Sequence, residues 1–308
     1  MVIEGATHDH DAELAWCRDA PCVVIGLTSG DEEPSKLVDV VLRAEDEPVL
    51  ERIVSRIDAN PTAARVLVEV LRIVPHLSLD SGLQVESLAY SMLLAGPEFE
   101  RWLTAFAPPA ARQFDGPAVR LERDGDELRV ALARPENRNA FSAAMRDELF
   151  AALTVAELDA SITRVVLEAD GPCFSSGGDL TEFGTAPDVV RAHHVRTQRS
   201  VGRLLGRLAP RVVARVHGAC VGAGVELPTF ASTVEARADA TFRLPEVTMG
   251  LIPGAGGTVS ISRRIGPQAT ARLALLGDAI DAETALAMGL IDSVEEGVTP
   301  STHPGPPP

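Results

Sequence analysis

The sequence predicts an α/β protein in which mostly parallel strands, covered by helices, follow a mostly helical N-terminal region. Three observations carry this. The Pro- and Gly-rich stretch Ala107 to Pro117 separates two different patterns within the 308 residues, since Pro and Gly remove helix and ladder hydrogen bonds. Before it, apolar residues recur at helical spacing. After it, short apolar runs at Arg164 to Glu168 and Arg211 to Val216 alternate with helical segments, the rhythm of a sheet built from βαβ units.

Taken in order, the run Cys22 to Leu27 reads as a short buried strand or as part of a helix, because periodicity alone cannot separate the two. Residues 33 to 106 read mostly as helices. The best defined has Asn60 as N-cap, Pro61 as first helical residue and Leu67, Val70, Leu71 and Val74 on one face, and Pro75 stops it. The next carries a capping box, Ser81 with Gln84, a stripe of Val85, Leu88 and Met92, and a Gly96-Pro97 terminator. Beyond the linker, Val119 to Glu122 and Leu128 to Leu132 flank Asp124-Gly125 as a hairpin, and a helix starts at Ser142. The division predicted is a helical region over 1–112, a core over 113–298 and a mobile Pro-rich tail over 299–308.

With 28 basic against 44 acidic side chains the formal charge is −16, which disfavours nucleic acid and anionic membrane as partners. No basic leader and no apolar run of the roughly 18 residues a membrane span needs is visible, so a cytoplasmic location is expected. The four cysteines read as reduced thiols, with Cys173 and Cys220 as buried filler. His8 and His10 beside Asp9 and Asp11 read as a mobile acidic terminus, and no metal is expected. A serine hydrolase is disfavoured because no Gly-x-Ser-x-Gly elbow appears. Gly254-Ala255-Gly256-Gly257 lacks the Lys-Ser/Thr ending of a phosphate loop, so a tight turn into a helix is expected.

The most informative feature is a pair of glutamates. Glu226 and Glu246 each lie beside a glycine-rich turn, Gly222-Ala223-Gly224 and the run from Leu244 to Gly257. Carboxylates brought together beside uncluttered backbone can serve as acid and base while N–H groups stabilise a developing negative charge. By residue type alone they could equally be surface acids near helix ends.

Four segments, in order, resemble the crotonase superfamily, the enoyl-CoA hydratase/isomerase family: Arg134 to Ala140, Cys173 to Leu180, the two glutamate segments, and Gly289-Leu290-Ile291-Asp292 closing the core. The resemblance covers residues of about 118–295. It implies a spiral of ββα turns that binds an acyl-CoA thioester and polarises its carbonyl with two backbone N–H groups, by position those of Ser176 and Ala223. It implies that Glu226 activates water and that Glu246 supplies the α-proton, the pattern of a hydratase, with isomerisation or another enolate chemistry as neighbours. A catalytically weak CoA-binding or assembly subunit is the alternative of another class.

The same resemblance places Arg138 near the CoA phosphates, with Asn139 and Ala140 as backbone contacts. Ser175, Gly177, Gly178, Asp179, Gly222 and Gly224 would line the thioester site, Asp179 in a capping role. Coenzyme A would enter as part of the substrate with no other cofactor, and a homo-oligomer, trimer or hexamer, would form. Three departures stand out: Pro228 two residues after Glu226, Leu244 where hydratases often carry a polar residue, and an end soon after Val294 where the family continues with helices. The apolar stripes of the N-terminal helices are therefore expected to pack on the core or on a neighbouring subunit.

Overall fold

Three short strands open the chain, β1 (Val2–Glu4), β2 (Ile25–Thr28) and β3 (Val40–Arg43), paired in parallel in that order. The computed structural model describes residues 1–29, 33–43, 45–107 and 114–295. The run left open between strand and helix is thus a strand from Ile25, and the described residues before Glu47 form strands and two 3₁₀ turns, His8–His10 and Ala15–Asp19, with no α-helix. Asp39, whose carboxylate accepts the Val24 amide at 2.7 Å, pairs with Arg72 through Nε at 2.7 Å and Nη2 at 2.6 Å. That two-pronged pair fastens the strands to the helices that follow.

Those helices are α1 (Glu47–Ala59), α2 (Pro61–Ile73), α3 (Leu79–Leu94) and α4 (Pro97–Phe106). Helix α2 starts at Pro61 as predicted, and Leu67, Val70, Leu71 and Val74 are all buried. Its cap comes from elsewhere, however. Asn60 Oδ1 accepts from Arg101, while the buried Glu98 carboxylate of α4 accepts the Thr62 and Ala63 amides at 2.7 and 2.9 Å.

Helix α3 corrects two expectations. Its N-cap is Ser78, whose hydroxyl accepts from the Ser81 amide, so the helix starts three residues earlier than the Ser81 box implied. Its buried face carries Leu83, Glu86, Ser87, Ser91 and Leu93, and Leu88 and Met92 are 54% and 55% exposed. The polar side turns inward because each polar group there finds a partner, and because Gly82 lets the helix approach closely: a Cβ at Gly82 would lie 3.1 Å from Val259.

The second part of the chain runs β4 (Val119–Asp124), β5 (Glu127–Leu132), α5 (Ala143–Leu158), β6 (Arg164–Ala169), α6 (Val189–Gln198), α7 (Val201–Leu208), β7 (Val212–Val216), β8 (Ala219–Val221), α8 (Ala223–Glu226), β9 (Thr233–Arg237), β10 (Thr241–Arg243), α9 (Gly257–Leu276), β11 (Ile280–Asp281), α10 (Ala282–Ala287) and β12 (Ser293–Glu295). The hairpin β4–β5 pairs Asp124 with Glu127, so its turn is Gly125-Asp126, one residue later than predicted, with Gly125 at φ 59°. Ser142 caps α5 as expected, accepting from the Met145 amide.

Strand order in the large sheet is β12-β9-β7-β6-β5-β4, parallel apart from the hairpin, and a small sheet has the order β11-β10-β8. Consecutive strands β7 and β8, then β9 and β10, fall in different sheets. The chain therefore winds between two layers as a spiral, delivering the ends of β8 and β10 to one place. Leu67 and Leu71 of α2, Leu83 of α3, Leu205 of α7 and Val259 of α9 belong to a single buried cluster with the large sheet. The N-terminal helices thus pack on the spiral, α2 through its predicted stripe and α3 through its other side. No described helix is long and apolar enough to cross a membrane. The predicted linker residues 108–113 and the tail over 299–308 lie outside the described residues.

A shared core makes a prediction. Leu67→Ala, at a site with no exposed surface, should destabilise by about 2–5 kcal/mol, and denaturation followed by circular dichroism and tryptophan fluorescence should remain one coincident transition. Separate transitions would mark the helical region as an independent unit.

Candidate active site

The site is organised by the turn before α9. Pro253 to Gly257 carries three glycines and presents its amides in sequence, and two buried carboxylates divide them. Glu226, at the end of α8, accepts from the amides of Ala255 at 2.7 Å and Gly257 at 2.9 Å through one oxygen, Oε2. The glycine at 257 is required by contact, since a Cβ there would lie 2.6 Å from Glu226 Cγ. The main chain of Glu226 is held too: its carbonyl accepts from Ser260 and Thr229 hydroxyls at 2.8 and 3.0 Å. Pro228, an apparent departure, is accommodated because α8 is a single turn and Pro228 opens a separate 3₁₀ turn.

Glu246 follows β10 and comes up against the other side of α8. A Cβ at Gly222 would lie 2.5 Å from Glu246 Oε1, so only glycine, here at φ 49°, fits between the two segments. Glu246 Oε2 is buried with no hydrogen-bond partner among the described residues. Burial pushes all of these carboxyls up. Glu226 rises to about 7 although the amides of Ala255 and Gly257 pull it down, and Glu246 rises well above the usual carboxylate range through burial first and the Glu226 charge second. Leu244 is fully buried in the core.

The expected amide pair is half corrected. The Ser176 N–H donates to the Arg138 carbonyl at 2.9 Å and so is committed to the loop. Two residues on, a short parallel bridge joins Phe141 to Gly178 through the Gly177 carbonyl and the Asp179 amide. Such a ladder leaves the amide of the residue between them pointing the other way, and the Gly178 N–H has no acceptor among the described residues. Neither has the Ala223 N–H, the first of α8, which lies among the amides a helix leaves free. Sequence position alone did not tell which amide of Ser175 to Asp179 the loop consumes.

The two turns touch. A Cβ at Gly224 would lie 2.8 Å from the Ser175 carbonyl, and one at Gly177, φ 90°, would lie 2.9 Å from the Val221 carbonyl. Ser175 is buried and works as a frame, donating to the Asn139 carbonyl and accepting from the Gly177 amide. Asn139, expected beside CoA, is completely buried. Its side chain accepts the Arg134 amide and donates to the carbonyls of Asp170 and Cys173, and its own amide is bonded to Arg134. The Ala140 amide bonds Asn137. These two brace the loop that holds Arg138, which is exposed at φ 56°. Asp179 Oδ1 accepts from the Thr181 amide and hydroxyl, capping a turn; the next α-helix begins only at Val189.

Sequence reasoning missed Glu86. It lies on α3, far from every motif, 2% exposed. It takes the remaining amides of the same turn, Gly256 at 2.8 Å and Thr258 at 2.9 Å, with the Thr258 hydroxyl at 2.7 Å. Burial, then the Glu226 charge, lifts it to about 8. One turn on, Tyr90 packs over Gly254, where a Cβ would lie 2.4 Å from the ring. The available signal was an acid at the position of an apolar stripe: Leu79, Leu83, Glu86, Tyr90 and Leu93 follow helical spacing.

The pH dependence of stability has a definite sign. A carboxyl raised to about 8 in the folded chain contributes stability that is whole below its unfolded pKa of about 4.3 and is lost as pH rises through 8. Glu86→Gln should therefore be less stable than the parent at pH 5, having lost an acceptor, yet lose less stability between pH 5 and 8.5. Parallel curves from thermal melts of the two proteins would show that Glu86 does not carry this linkage.

The chain and its fold resemble known proteins. The family model for enoyl-CoA hydratase/isomerase matches residues 127–298, more than half of the chain. The 2,3-dehydroadipyl-CoA hydratase of Escherichia coli is 34% identical over 174 residues, covering 56% of this chain and 68% of that protein. The trans-2-decenoyl-[acyl-carrier-protein] isomerase of Streptococcus mutans is 33% identical, covering 56% and 67%. Among solved structures, an enoyl-CoA hydratase from Mycobacterium smegmatis superposes with a TM-score of 0.54 at 31% identity, covering 59% of this chain and 71% of that one. On these likenesses the chain belongs to the enoyl-CoA hydratase/isomerase family.

Proposed function

We propose that this enzyme adds water across the conjugated double bond of a 2-enoyl-CoA, giving a 3-hydroxyacyl-CoA. One observation carries the choice of hydration over isomerisation: two carboxyls come close enough to feel one another, Glu226 at the end of α8 and Glu246 against Gly222 at its start. Isomerisation moves one proton between two carbons and needs one shuttle. Hydration takes a proton from water at the β-carbon and delivers another to the α-carbon, which occupies two.

In this reading the thioester oxygen accepts from the Gly178 and Ala223 amides. Glu226, as carboxylate, takes a proton from water as its oxygen bonds to the β-carbon and the double-bond electrons move onto the thioester oxygen. Glu246, protonated, then delivers its proton to the α-carbon as the enolate collapses. The raised carboxyls suit this, because a base near 7 and a second acid held protonated beside it can coexist at neutral pH. Since the two titrate as a pair, the pH profile of kcat/KM would report the pair. Arg138, exposed at the rim, suits a phosphate of the CoA moiety. A homo-oligomer is part of the same proposal, supported by the exposed Leu88 and Met92 one turn apart on α3.

Two outcomes are expected. Glu226→Gln and Glu246→Gln should each lower kcat for loss of enoyl absorbance by about 10²–10⁴ with CoA thioester binding within a few-fold of the parent; an unaffected single mutant would remove that residue from the mechanism. Ala223→Pro removes an N–H at the first position of α8, where proline is tolerated, and should lower kcat by about 10²–10³ in a protein with a native circular dichroism spectrum. Ser176→Ala should stay near parental activity, and equal losses in both would count against a main-chain oxyanion site.

A further inference from the structure

Helix α9 begins against two acids at once. The turn before it and its first residues offer four amides in a row, and these alternate: Ala255 and Gly257 donate to Glu226 at 2.7 and 2.9 Å, Gly256 and Thr258 to Glu86 at 2.8 and 2.9 Å. No other backbone group among the described residues accepts from any of the four. The side chains of the turn do little to set its shape. Gly256 stands at φ 116°, a conformation that favours glycine, and a Cβ there would lie 2.5 Å from the Phe230 ring. Its conformation is therefore imposed by the groups that pack on the turn and accept its N–H groups.

Helix α3 supplies such a group on a rigid mount. Gly82, Glu86 and Tyr90 stand at steps of four, on one face of the helix. Along that face Gly82 meets Val259, where a Cβ would lie 3.1 Å from the side chain, Glu86 takes Gly256 and Thr258, and the Tyr90 ring covers Gly254. The helix thus runs along the turn and holds it at three successive points. Glu86 Oε1 accepts the Gly256 amide, and Oε2 accepts both the amide and the hydroxyl of Thr258. Without that carboxyl two buried amides lose their acceptors. The peptide rotations that let them seek new partners turn the Ala255 and Gly257 amides away from Glu226, because all four belong to one stretch of chain.

We propose that Glu86 is a positioning residue for the reaction: by fixing the Gly256 and Thr258 amides it aims those of Ala255 and Gly257 at Glu226 and holds that base in place. The inference rests on the reading of Glu226 as the base. Glu86 lies outside residues 127–298, which the family model matches, so the N-terminal helices take a part in the chemistry. Glu86 itself touches no reacting atom, and its mark is left on Glu226. Amides donated to a carboxylate favour its charged form, so loosening them raises the pH at which Glu226 ionises, whereas removing a like charge lowers it. Facing Glu226 are Glu86 and Tyr90 from α3 and Glu246 from the turn after β10; Arg196 of α6, which reaches Glu86 and Tyr90, and Arg243 of β10, which reaches Glu246, stand behind them. Glu86, lifted to about 8, is largely uncharged where Glu226 titrates near 7, so the amides decide the direction.

The test uses the intact chain and two readouts, loss of enoyl absorbance from a 2-enoyl-CoA and carbon-13 NMR titration of the glutamate carboxyls, with the Glu226 signal identified by its loss in Glu226→Gln. In Glu86→Gln, which keeps one acceptor oxygen, the Glu226 titration should move up by about half a pH unit and kcat should fall about tenfold, with Kd for the unreactive hexanoyl-CoA within about threefold of the parent. Glu86→Leu, which keeps none, should lower kcat by about 10²; if circular dichroism shows it unfolded, the glutamine variant carries the test alone. Placed in Glu226→Gln, Glu86→Gln should cost no further kcat, because residues that act through one another are not additive. A Glu226 titration that stays put or moves down overturns the proposal. So does a full further loss in the double variant, or a loss of thioester binding in step with kcat, the mark of a purely structural acid. If the titration moves up but the parent hydrates no enoyl-CoA, the hydratase reading falls and the positioning of Glu226 stands; if hydration proceeds and Glu86→Gln changes neither readout, only the Glu86 assignment falls.

Discussion

Everything in the site depends on how the amides of one glycine-rich turn are divided. Ala255 and Gly257 point to Glu226, Gly256 and Thr258 to Glu86, so successive N–H groups face opposite acids. A buried helix start must satisfy its free amides, and here both partners are carboxyls that also feel one another. The turn cannot tighten around one without loosening from the other. Glu86 comes from α3, so the N-terminal helices are bound into the geometry of the candidate site as well as into the core.

This explains why α3 buries its polar side. A helix docking only through apolar contacts would have turned Val85, Leu88 and Met92 inward, as the stripe suggested. Glu86, Ser87 and Ser91 instead meet the turn amides and Arg196, each a buried group finding its hydrogen bonds. Once one buried acid has two main-chain donors, rotating the helix to favour two more leucine-sized contacts would orphan it, and an unsatisfied buried carboxyl costs more than a methylene or two gains.

Much of the spiral could be read in the sequence, because its elements carry local signals. Ser142 capping α5, Pro61 opening α2 and the strands at 164 and 212 need only neighbours in sequence to be recognised. Both glutamates were visible because glycine beside a carboxylate marks close approach of backbone, and a Cβ would crowd Glu226 at Gly257 and meet Glu246 at Gly222, where φ is also 49°. What stayed hidden was decided by distant partners. The sequence put the donor at Ser176, whose amide the Arg138 carbonyl claims in the fold. Asn139 looked like a ligand contact until its side chain was found bracing three main-chain groups. Glu86 and Arg196 carry no motif, since their roles exist only where α3 meets the spiral.

The choice of partners for Glu226 also bears on its chemistry. An arginine beside it would hold the carboxylate ionised but depress its pKa far below neutrality, making it a poor base. Main-chain amides orient it while contributing only partial charge, and burial works in the opposite sense, leaving the group near 7.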